Sequence, residues 1–417
     1  MSSSKWAEKA RYLDEYRWRM LRERHGLLGS CFRFARDALR DLQFGLRARF
    51  RFARNIAPER CDFLLLQSAP KVIAFKRKRM LMDQLRGRDY ALTETALQEP
   101  DQILSQRQLL SPPEAVPLRY LGYAAHAQWL IQHHQPKILL NDRNGSLYTP
   151  FLRLALNAEG RLLVHLAHAT TVEDSRRLGM NDYDYYFMFG TSSLEALQAR
   201  ALRFGASVAV MAGSHMVDDT YDLQLADAAA RVLLILGVGP DKEKEPGYVR
   251  SYELLRRWAE LNPDYRVLFK AHPRSNAQFW QGAASGLDNV EVLAPACTLA
   301  QALEQASIVV NIMSNAVIEA ALARRPVIYV NCAEYPDIFD QERFFGPCVR
   351  DVRQLGQRID TIQADYLQHA QVAERFAEHH LAAGSGGLQR TLELLEQLIL
   401  AGRCEGTRLP PACGKPN

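Results

Sequence analysis

The chain has 417 residues, of which 47% are apolar and 24% charged, and this composition excludes a wholly disordered or collagen-like protein. No apolar run is long enough for a transmembrane helix, and no segment resembling a signal peptide begins the chain. Seven scattered cysteines without C-x-x-C spacing argue against a disulfide framework or a zinc site, so we expect a cytoplasmic protein.

Positive charge is concentrated in the first 60 residues. They hold 15 Lys and Arg against 7 Asp and Glu, whereas the whole chain carries a net charge of +5. Aromatic residues lie between the arginines, and the pattern predicts a basic amphipathic arm of two helices, broken near residues 25–30. Residues 1–57 of such an arm can lie on an anionic membrane surface. The alternatives are a helical hairpin packed on the body and nucleic-acid binding, for which no recognised motif is present.

The second section, residues 61–215, alternates apolar runs with helical patterns. Strands are predicted at 61–67, 137–141, 162–168, 185–189 and 207–211. A basic loop and a helix follow the first strand. Strands separated by helices are typical of a parallel, doubly wound sheet.

The third section, residues 229–400, repeats this alternation. Its first predicted strand is Val232–Leu236, and helices are expected to continue to about residue 400. The last residues, 403–417, contain Gly and Pro and are predicted to be a disordered tail. We therefore expect an α/β protein of two Rossmann-like domains facing a cleft, with ligands beyond the carboxyl ends of the strands.

Two motifs follow neighbouring strands of the third section. In His272-Pro273-Arg274, the imidazole and guanidinium groups suit phosphate oxygens. Ser314 and Asn315 open a helix, whose start offers N–H groups and a positive dipole end to an anion. Each motif also fits a simpler structure, a His-Pro turn or an ordinary helix cap. Their joint occurrence predicts a nucleotide-phosphate site.

Three further residues are candidates for the same site. Glu319 lies in the first turns of that helix, where it could accept ribose hydroxyls or only favour the helix dipole. Gly237 and Gly239 follow the first strand and would let the backbone approach a ligand closely, although a plain turn fits equally well. They are not a dinucleotide fingerprint, because Pro240 and the residues after it replace the helix-opening glycine.

The segment from Ser314 to Tyr329 resembles the donor-binding helix of GT-B glycosyltransferases, in which a Ser or Gly precedes Glu-Ala and then Pro-Val-Ile. His272-Pro273 is similar to the His-Pro motif of bacterial sialyltransferases, Kdo transferases and CDP-glycerol glycerophosphotransferases. The resemblance covers mainly residues 229–335. It implies a GT-B fold and a nucleotide-activated donor, CMP- or CDP-linked, with no further cofactor.

The sequence departs from these families in two places. Several cytidine-nucleotide families have a Ser-Ser or Ser-Thr pair where this chain has Ser314-Asn315. The Gly-Gly that follows Ser in UDP-sugar 2-epimerases is absent, which disfavours that otherwise similar fold.

The resemblance assigns residues 61–215 to the acceptor, and an acceptor hydroxyl requires a general base. His168 lies at a strand end and resembles the His-Gly-Thr segment of CDP-glycerol transferases, with Ala169 in place of Gly. Asp142, just past another strand, is the carboxylate alternative. Either residue could instead be a strand-end donor or a turn cap. His165 alternates to the opposite face of its strand, so we expect it to be structural.

No metal is expected in the site. Asp182 and Asp184 form a D-x-D pair, but they precede a strand and fit a solvated strand start. The resemblance implies an inverting, metal-independent transferase, and the basic arm would hold it on the inner membrane face as a peripheral protein. It would move a sugar, of the Kdo type from a CMP donor, onto a lipopolysaccharide or capsule glycan. The alternatives are a CDP-glycerol or polyol-phosphate transferase, a UDP-sugar 2-epimerase-like enzyme and an inactive nucleotide-binding scaffold.

Overall fold

The computed structural model describes residues 4–170, 176–333 and 335–413. Contacts divide the chain into two compact units. The first unit consists of residues 1–216 together with 387–417, and the second consists of residues 217–386. Each unit contains a parallel β-sheet of its own.

The helices, in chain order, are α1 (Lys5–Arg22), α2 (Leu27–Arg49), α3 (Pro70–Ile73), α4 (Arg79–Gly87), α5 (Pro100–Ser105), α6 (Leu118–His134), α7 (Thr149–Asn157), α8 (Thr191–Ala199), α9 (Pro246–Leu261), α10 (Gln278–Ala284), α11 (Leu299–Gln305), α12 (Ala316–Leu322), α13 (Gln341–Phe345), α14 (Val352–Ala364), α15 (Tyr366–His380) and α16 (Gly387–Ala401). Short 3₁₀ turns include Asp219–Tyr221 and Gly384–Gly386. Within the described residues, no helix is long and apolar enough to cross a bilayer.

The strands are β1 (Phe63–Gln67), β2 (Leu92–Ala96), β3 (Ile138–Asn141), β4 (Leu162–Leu166), β5 (Tyr185–Met188), β6 (Leu202–Arg203), β7 (Ser207–Met211), β8 (Val232–Leu236), β9 (Arg266–Lys270), β10 (Val290–Val292), β11 (Ile308–Asn311), β12 (Val327–Tyr329), β13 (Thr407–Leu409) and β14 (Ala412–Cys413). The strands that the sequence predicts in residues 61–215 are all present, and β2 was missed.

The first unit has a seven-stranded sheet in the order β13-β7-β5-β4-β3-β1-β2. Every neighbouring pair except β13 with β7 is parallel. Strands β1, β3 and β5 are buried along their whole length, which is typical of a parallel sheet covered on both faces. Because β2 and β3 lie on opposite sides of β1, the sheet order reverses at β1, and such a reversal leaves a crevice at the carboxyl ends of the strands.

The C-terminal segment returns to the first unit. Helix α16 packs apolar side chains into the core of the first sheet, among them Leu392 and Leu398. Strand β13 pairs antiparallel with β7 and covers the edge of that sheet. The assignment of all of residues 229–400 to a second domain and the expected disorder of 403–417 are therefore wrong for the described residues. Residues 414–417 lie outside the described part of the chain.

The basic arm is a helical hairpin packed on the first unit. The hydroxyl of Ser4 caps α1 by accepting hydrogen bonds from backbone N–H groups of the first turn. Helix α1 buries Trp6, Leu13 and Tyr16. Helix α2 lies so close to α6 that a Cβ added at Gly45 would overlap a carbonyl oxygen of that helix. The two predicted helices are thus present, and their inner faces follow the packed-hairpin alternative.

Ion pairs with little solvent exposure join this hairpin to α6. Arg17 of α1 lies 2.6 Å from the carboxylate of Asp41 on α2. Arg119 of α6 reaches Asp14 at 2.5 Å and Asp41 at 3.2 Å. Arg17 is the arginine of the arm among these, and it is bound within the fold, so it does not contribute to the outward-facing charge of the arm.

The second unit has a five-stranded parallel sheet in the order β10-β9-β8-β11-β12. Strand β8 lies between β9 and β11, with Leu234 beside Leu268 and Val309. Its core contains Trp280, which is fully buried and stacks on Phe269 with ring centroids 5.2 Å apart. The sheet order reverses at β8, which predicts a ligand crevice at the carboxyl ends of β8, β9 and β11.

Candidate functional site

The carboxyl ends of β1, β3 and β4 in the first unit surround a cavity of about 600 Å³. Ser68 follows β1, Asp142 follows β3 and His168 comes two residues after β4, and all three line the cavity. The cavity lies where the order of the sheet reverses, which is the usual ligand position in α/β sheets. The structure therefore brings both residues predicted to act as a base into one cavity.

A buried lysine holds Asp142. The Nζ atom of Lys78 lies 2.6 Å from Oδ2 of Asp142, and the two side chains are 3% and 6% exposed. The same Nζ donates to Oε1 of Gln67 at 3.4 Å. The other carboxylate oxygen, Oδ1, is buried without a hydrogen-bond partner among the described residues. Asp142 thus has one acceptor atom left for a ligand.

Three histidines near this cavity have different surroundings. His168 is exposed on the cavity wall. His165 is fully buried, its Nδ1 accepts from Nδ2 of Asn141 at 2.9 Å, and its ring stacks on Tyr183. Burial lowers the pKa of His165 well below the usual value and the pKa of His215 to about 3. His165 and His215 are therefore neutral. His165 is buried while His168 is exposed to the cavity, which agrees with the predicted alternation of these two residues along their strand.

The wall of the cavity also carries positive charge that the motif analysis missed. Lys71 and Arg77 from the segment after β1 line it, together with Arg143 after β3. Nη1 of Arg143 donates to the backbone oxygen of Ser68 at 3.3 Å. The one signal for Lys71 and Arg77 was the basic loop that follows the first strand. This loop lies close to Asp142 because β3 pairs with β1, and the sequence did not predict that pairing.

The candidate donor residues of the second unit follow three neighbouring strands. Gly237 follows β8, His272 lies just after β9, and Ser314 lies just after β11. The N–H of Gly237 donates to the backbone oxygen of Lys270 at 2.9 Å. A Cβ added at Gly237 would lie 2.9 Å from that oxygen and 3.0 Å from the backbone nitrogen of His272. Glycine is therefore required for this close approach of two strand ends.

His272 and Arg274 form a local pair. The backbone N–H of Arg274 donates to Nδ1 of His272 at 3.2 Å, so in the neutral ring Nε2 carries the proton and is the donor. Desolvation and the Arg274 charge lower the pKa of His272. The exposed Arg274 guanidinium would lie 3.7 Å from a Cβ at Gly239, and it lines a cavity of about 520 Å³ with Phe279. The loops after β8 and β9 thus meet at Arg274.

A buried asparagine shapes the loop before α12. Nδ2 of Asn311 donates to Oε1 of Gln341 at 2.8 Å, and Oδ1 of Asn311 accepts the N–H of Ser314 at 3.0 Å. Asn315 stands at the N-cap position, but its side chain makes no capping hydrogen bond. Its backbone has helical dihedral angles, whereas a capping residue is extended, so the interpretation of Asn315 as a helix cap is wrong.

Glu319 of α12 has a buried carboxylate oxygen that lacks a hydrogen-bond partner among the described residues. Burial raises the pKa of Glu319 to about 7. Burial and the negative charge of Glu319 together raise the pKa of Tyr221 to about 12. A buried carboxylate without donors is unfavourable, and ligand hydroxyls could supply the missing donors.

We expect Glu319→Gln to stabilise the second unit at about pH 8. Because the pKa of Glu319 in the folded protein, about 7, exceeds the ordinary 4.5, stability falls as pH rises between these values and stays reduced above them. The uncharged Gln avoids this loss, so the gain reaches up to about 3 kcal/mol at high pH and vanishes below about pH 4.5. Thermal unfolding of both proteins at about pH 8 and below about pH 4.5 measures this gain in stability. Equal Tm values at the higher pH would contradict the prediction.

The D-x-D pair is held by ion pairs. Asp182 is fully buried, 2.8 Å from Nη1 of Arg153 and 3.0 Å from Nζ of Lys9. Asp184 lies 2.9 Å from Nε of Arg153. The interpretation of this pair as a solvated strand start is therefore wrong, because α7 and α1 bring cations to it.

One group of metal-capable side chains occurs among the described residues. Ligand atoms of Glu59, His133 and His134 lie within 4.8 Å of one another. They lie near the amino-terminal end of β1, whereas the cavity with Asp142 lies at the carboxyl end of that strand. This group is therefore separate from the candidate site, and a metal-independent reaction stays a prediction.

The sequence matches no protein-family model and no curated protein. The structure is similar to that of a protein from Listeria monocytogenes assigned as a UDP-N-acetylglucosamine 2-epimerase, with a TM-score of 0.54, 14% identity, and coverage of 83% of this chain and 99% of that one. A second UDP-N-acetylglucosamine 2-epimerase structure aligns with a TM-score of 0.50 and 12% identity over 84% of this chain and 98% of the other. The fold is therefore GT-B-like, with two parallel Rossmann-like sheets.

Proposed function

We propose that this protein is an inverting, metal-independent glycosyltransferase that moves a sugar from a nucleotide donor to a glycan or glycolipid. The observation that carries the proposal is the exposed His168 in one cavity with the buried Asp142, whose Oδ1 lacks a partner among the described residues. A base and a hydrogen-bond acceptor in one cavity suit the binding and deprotonation of a sugar hydroxyl.

His168 acts as the base, and Asp142 orients the hydroxyl. One oxygen of Asp142 is engaged by Nζ of Lys78 at 2.6 Å in a buried ion pair, whereas the ring of His168 is exposed in the cavity. The acceptor oxygen attacks the anomeric carbon while the bond from that carbon to the donor phosphate breaks. The proton passes to a ring nitrogen of His168, and the nucleotide leaves with the electron pair of the broken bond.

The second unit binds the nucleotide donor. Nε2 of His272 and the guanidinium of Arg274 donate to phosphate oxygens, and they stabilise the charge that develops on the leaving group. Gly237 and Gly239 let the backbone approach the donor, and Glu319 accepts the ribose hydroxyls. Ser314 and Asn315 contribute from the loop before α12. The cytidine nucleotide and the 3-deoxy acid class of sugar rest on the His-Pro resemblance.

A second candidate is a UDP-sugar 2-epimerase, and the structural comparison favours it. Two solved structures with TM-scores of 0.54 and 0.50 are assigned to that activity. An epimerase converts the nucleotide sugar without an acceptor, so the two functions differ in their requirement for a second substrate. A polyol-phosphate transferase would use the same nucleotide contacts but attack phosphorus.

The proposal is tested by titrating CMP, CDP, UDP and GDP into the full-length protein by calorimetry. We expect cytidine-selective binding that weakens about tenfold or more in Arg274→Ala, because a charged hydrogen bond to phosphate is lost. Arg266→Ala is the matched control, since Arg266 lies at the other end of β9 and pairs with Glu291. Selective UDP binding with acceptor-free turnover of UDP-N-acetylglucosamine would replace the transferase by the epimerase. Absence of nucleotide binding would contradict both.

The membrane part of the proposal rests on the outer face of α2. Five large apolar side chains there are 42–86% exposed. Successive members are four or seven residues apart, which places them along one face of the helix. We call this face the outer stripe; it consists of Leu28, Phe32, Leu39, Leu46 and Phe50.

Arginines flank the outer stripe on one side. Arg33, Arg36 and Arg40 are exposed in the same helix. An apolar stripe beside a row of cations complements a membrane surface, in which anionic headgroups border the acyl chains. We therefore assign the outer stripe to an anionic membrane, which would hold the enzyme near a lipid-linked acceptor.

We expect the double variant Leu28→Ser/Phe32→Ser to lose at least about tenfold in affinity for phosphatidylglycerol liposomes, because less apolar area enters the membrane interface. Co-sedimentation of the full-length protein measures this binding. Leu367→Ser/Leu400→Ser is the control, since both of these leucines are exposed outside the arm. Point variants are needed because deletion of residues 1–57 would remove core side chains such as Trp6. Unchanged binding would contradict the membrane assignment.

A further inference from the structure

We infer that the cavity of the first unit binds a hydroxylated anion, so that the acceptor carries a phosphate or carboxylate group beside its reacting hydroxyl. The inference rests on the proposed function only in so far as it identifies this ligand as the acceptor. The cavity itself supplies the evidence for the anion, through its charge, its held side chains and its one unsatisfied acceptor atom.

The cavity wall has an excess of positive charge. Of the described residues that line it, four carry a cation and one, Asp142, carries a carboxylate. Lys78 and Asp142 neutralise each other at 2.6 Å. Lys71, Arg77 and Arg143 therefore remain as net positive charge on the wall. A concave, partly desolvated surface of one sign concentrates ligands of the opposite sign.

Two of these cations are held at the wall. The guanidinium of Arg143 is tethered to the backbone oxygen of Ser68 at 3.3 Å. The guanidinium of Arg77 lies over the ring of Phe75, 5.6 Å from its centroid. Side chains restrained in this way lose less conformational entropy when they bind. The planar fork of Arg matches the paired oxygens of phosphate and carboxylate.

The remaining acceptor atom defines the second feature of the ligand. Oδ1 of Asp142 is buried on the wall without a partner among the described residues, and an anionic oxygen cannot donate to it. A hydroxyl can. The ligand that satisfies both features presents an anionic group to the arginines and a hydroxyl to Asp142. A cavity of about 600 Å³ has room for a sugar-sized molecule of this kind.

The test is calorimetric titration of the full-length protein with glycerol 3-phosphate and with glucuronate, at low ionic strength and without nucleotide. Glycerol and glucose are the neutral counterparts. We expect at least one anion to bind, and Arg77→Gln and Arg143→Gln each to weaken that binding about tenfold or more. Arg79→Gln is the matched control, because Arg79 is exposed next to this loop, pairs with Asp83 and does not line the cavity.

Each outcome decides the inference. Binding of glycerol 3-phosphate alone assigns a phosphate, and binding of glucuronate alone assigns a carboxylate. The inference is overturned by equal binding of the neutral counterparts, by no binding of either anion, or by equal losses in the variants and in Arg79→Gln. Failure of the proposed function is separate: anion binding that depends on Arg143, without any nucleotide binding, would keep the anion site and remove the transferase.

Discussion

His168→Ala is expected to lower the rate of sugar transfer by roughly 10²- to 10⁴-fold, the usual contribution of a general base. The side chain is exposed in the cavity, so its removal leaves no buried hole. The proposed nucleotide contacts are made by residues of the second unit, so the affinity for the donor nucleotide is expected to stay unchanged. Transfer rates measured with saturating donor, beside nucleotide titrations of the same variant, check both expectations.

Added imidazole distinguishes a base from a structural residue at position 168. If the ring acts as the base, imidazole in solution should restore part of the activity of His168→Ala. His369→Ala is the matched control, since His369 lies on α15 of the second unit. Normal transfer by His168→Ala would show that another residue is the base. A loss of nucleotide affinity as large as the loss of rate would indicate a structural defect.

Lys78→Met is expected to destabilise the first unit by about 3–5 kcal/mol. The ammonium and the Asp142 carboxylate are both nearly inaccessible to solvent, so removal of the lysine leaves a buried negative charge without its counter-ion. The pair also fixes the position of Asp142 in the cavity, and transfer should fall with stability. Denaturant unfolding of the variant and of the unaltered protein measures the difference in free energy.

Two controls separate the ion pair from simple loss of a side chain. Arg79→Met breaks an exposed pair with Asp83 in the same region and should cost less than about 1 kcal/mol. The double variant Lys78→Met/Asp142→Leu removes both charges and should regain most of the lost stability, although it would lack Asp142 for activity. A double variant as unstable as the sum of two damaging single substitutions would contradict a coupled pair.

The sequence predicted the two sheets because their strands are short apolar runs separated by helical patterns. β7 and β8 begin and end at the predicted residues. β2 was missed because its sequence, LTETA, is polar and half-buried at the sheet edge. The return of α16 to the first unit was also missed, since a leucine-rich helix carries no information about which sheet it covers.

The residues of the candidate site that directly follow strands could be predicted from the sequence. Asp142, His168 and His272 follow strands, so local pattern found them. The partnership of Lys78 with Asp142 joins residues 64 positions apart and depends on β1 pairing with β3. Asn315 makes no capping hydrogen bond, and the loop before α12 is held by the buried Asn311, whose hydrogen bonds only the tertiary structure reveals.

The return of the chain after residue 386 also sets the order in which the protein can be completed during synthesis. The second unit is one uninterrupted insertion, residues 217–386, and its 3₁₀ turns Asp219–Tyr221 and Gly384–Gly386 contact each other at the two ends. A nascent chain therefore finishes the second unit while the first still lacks α16 and β13. The first unit can close its core only after these later elements have left the ribosome, so the unit that begins first along the chain is completed after the second unit.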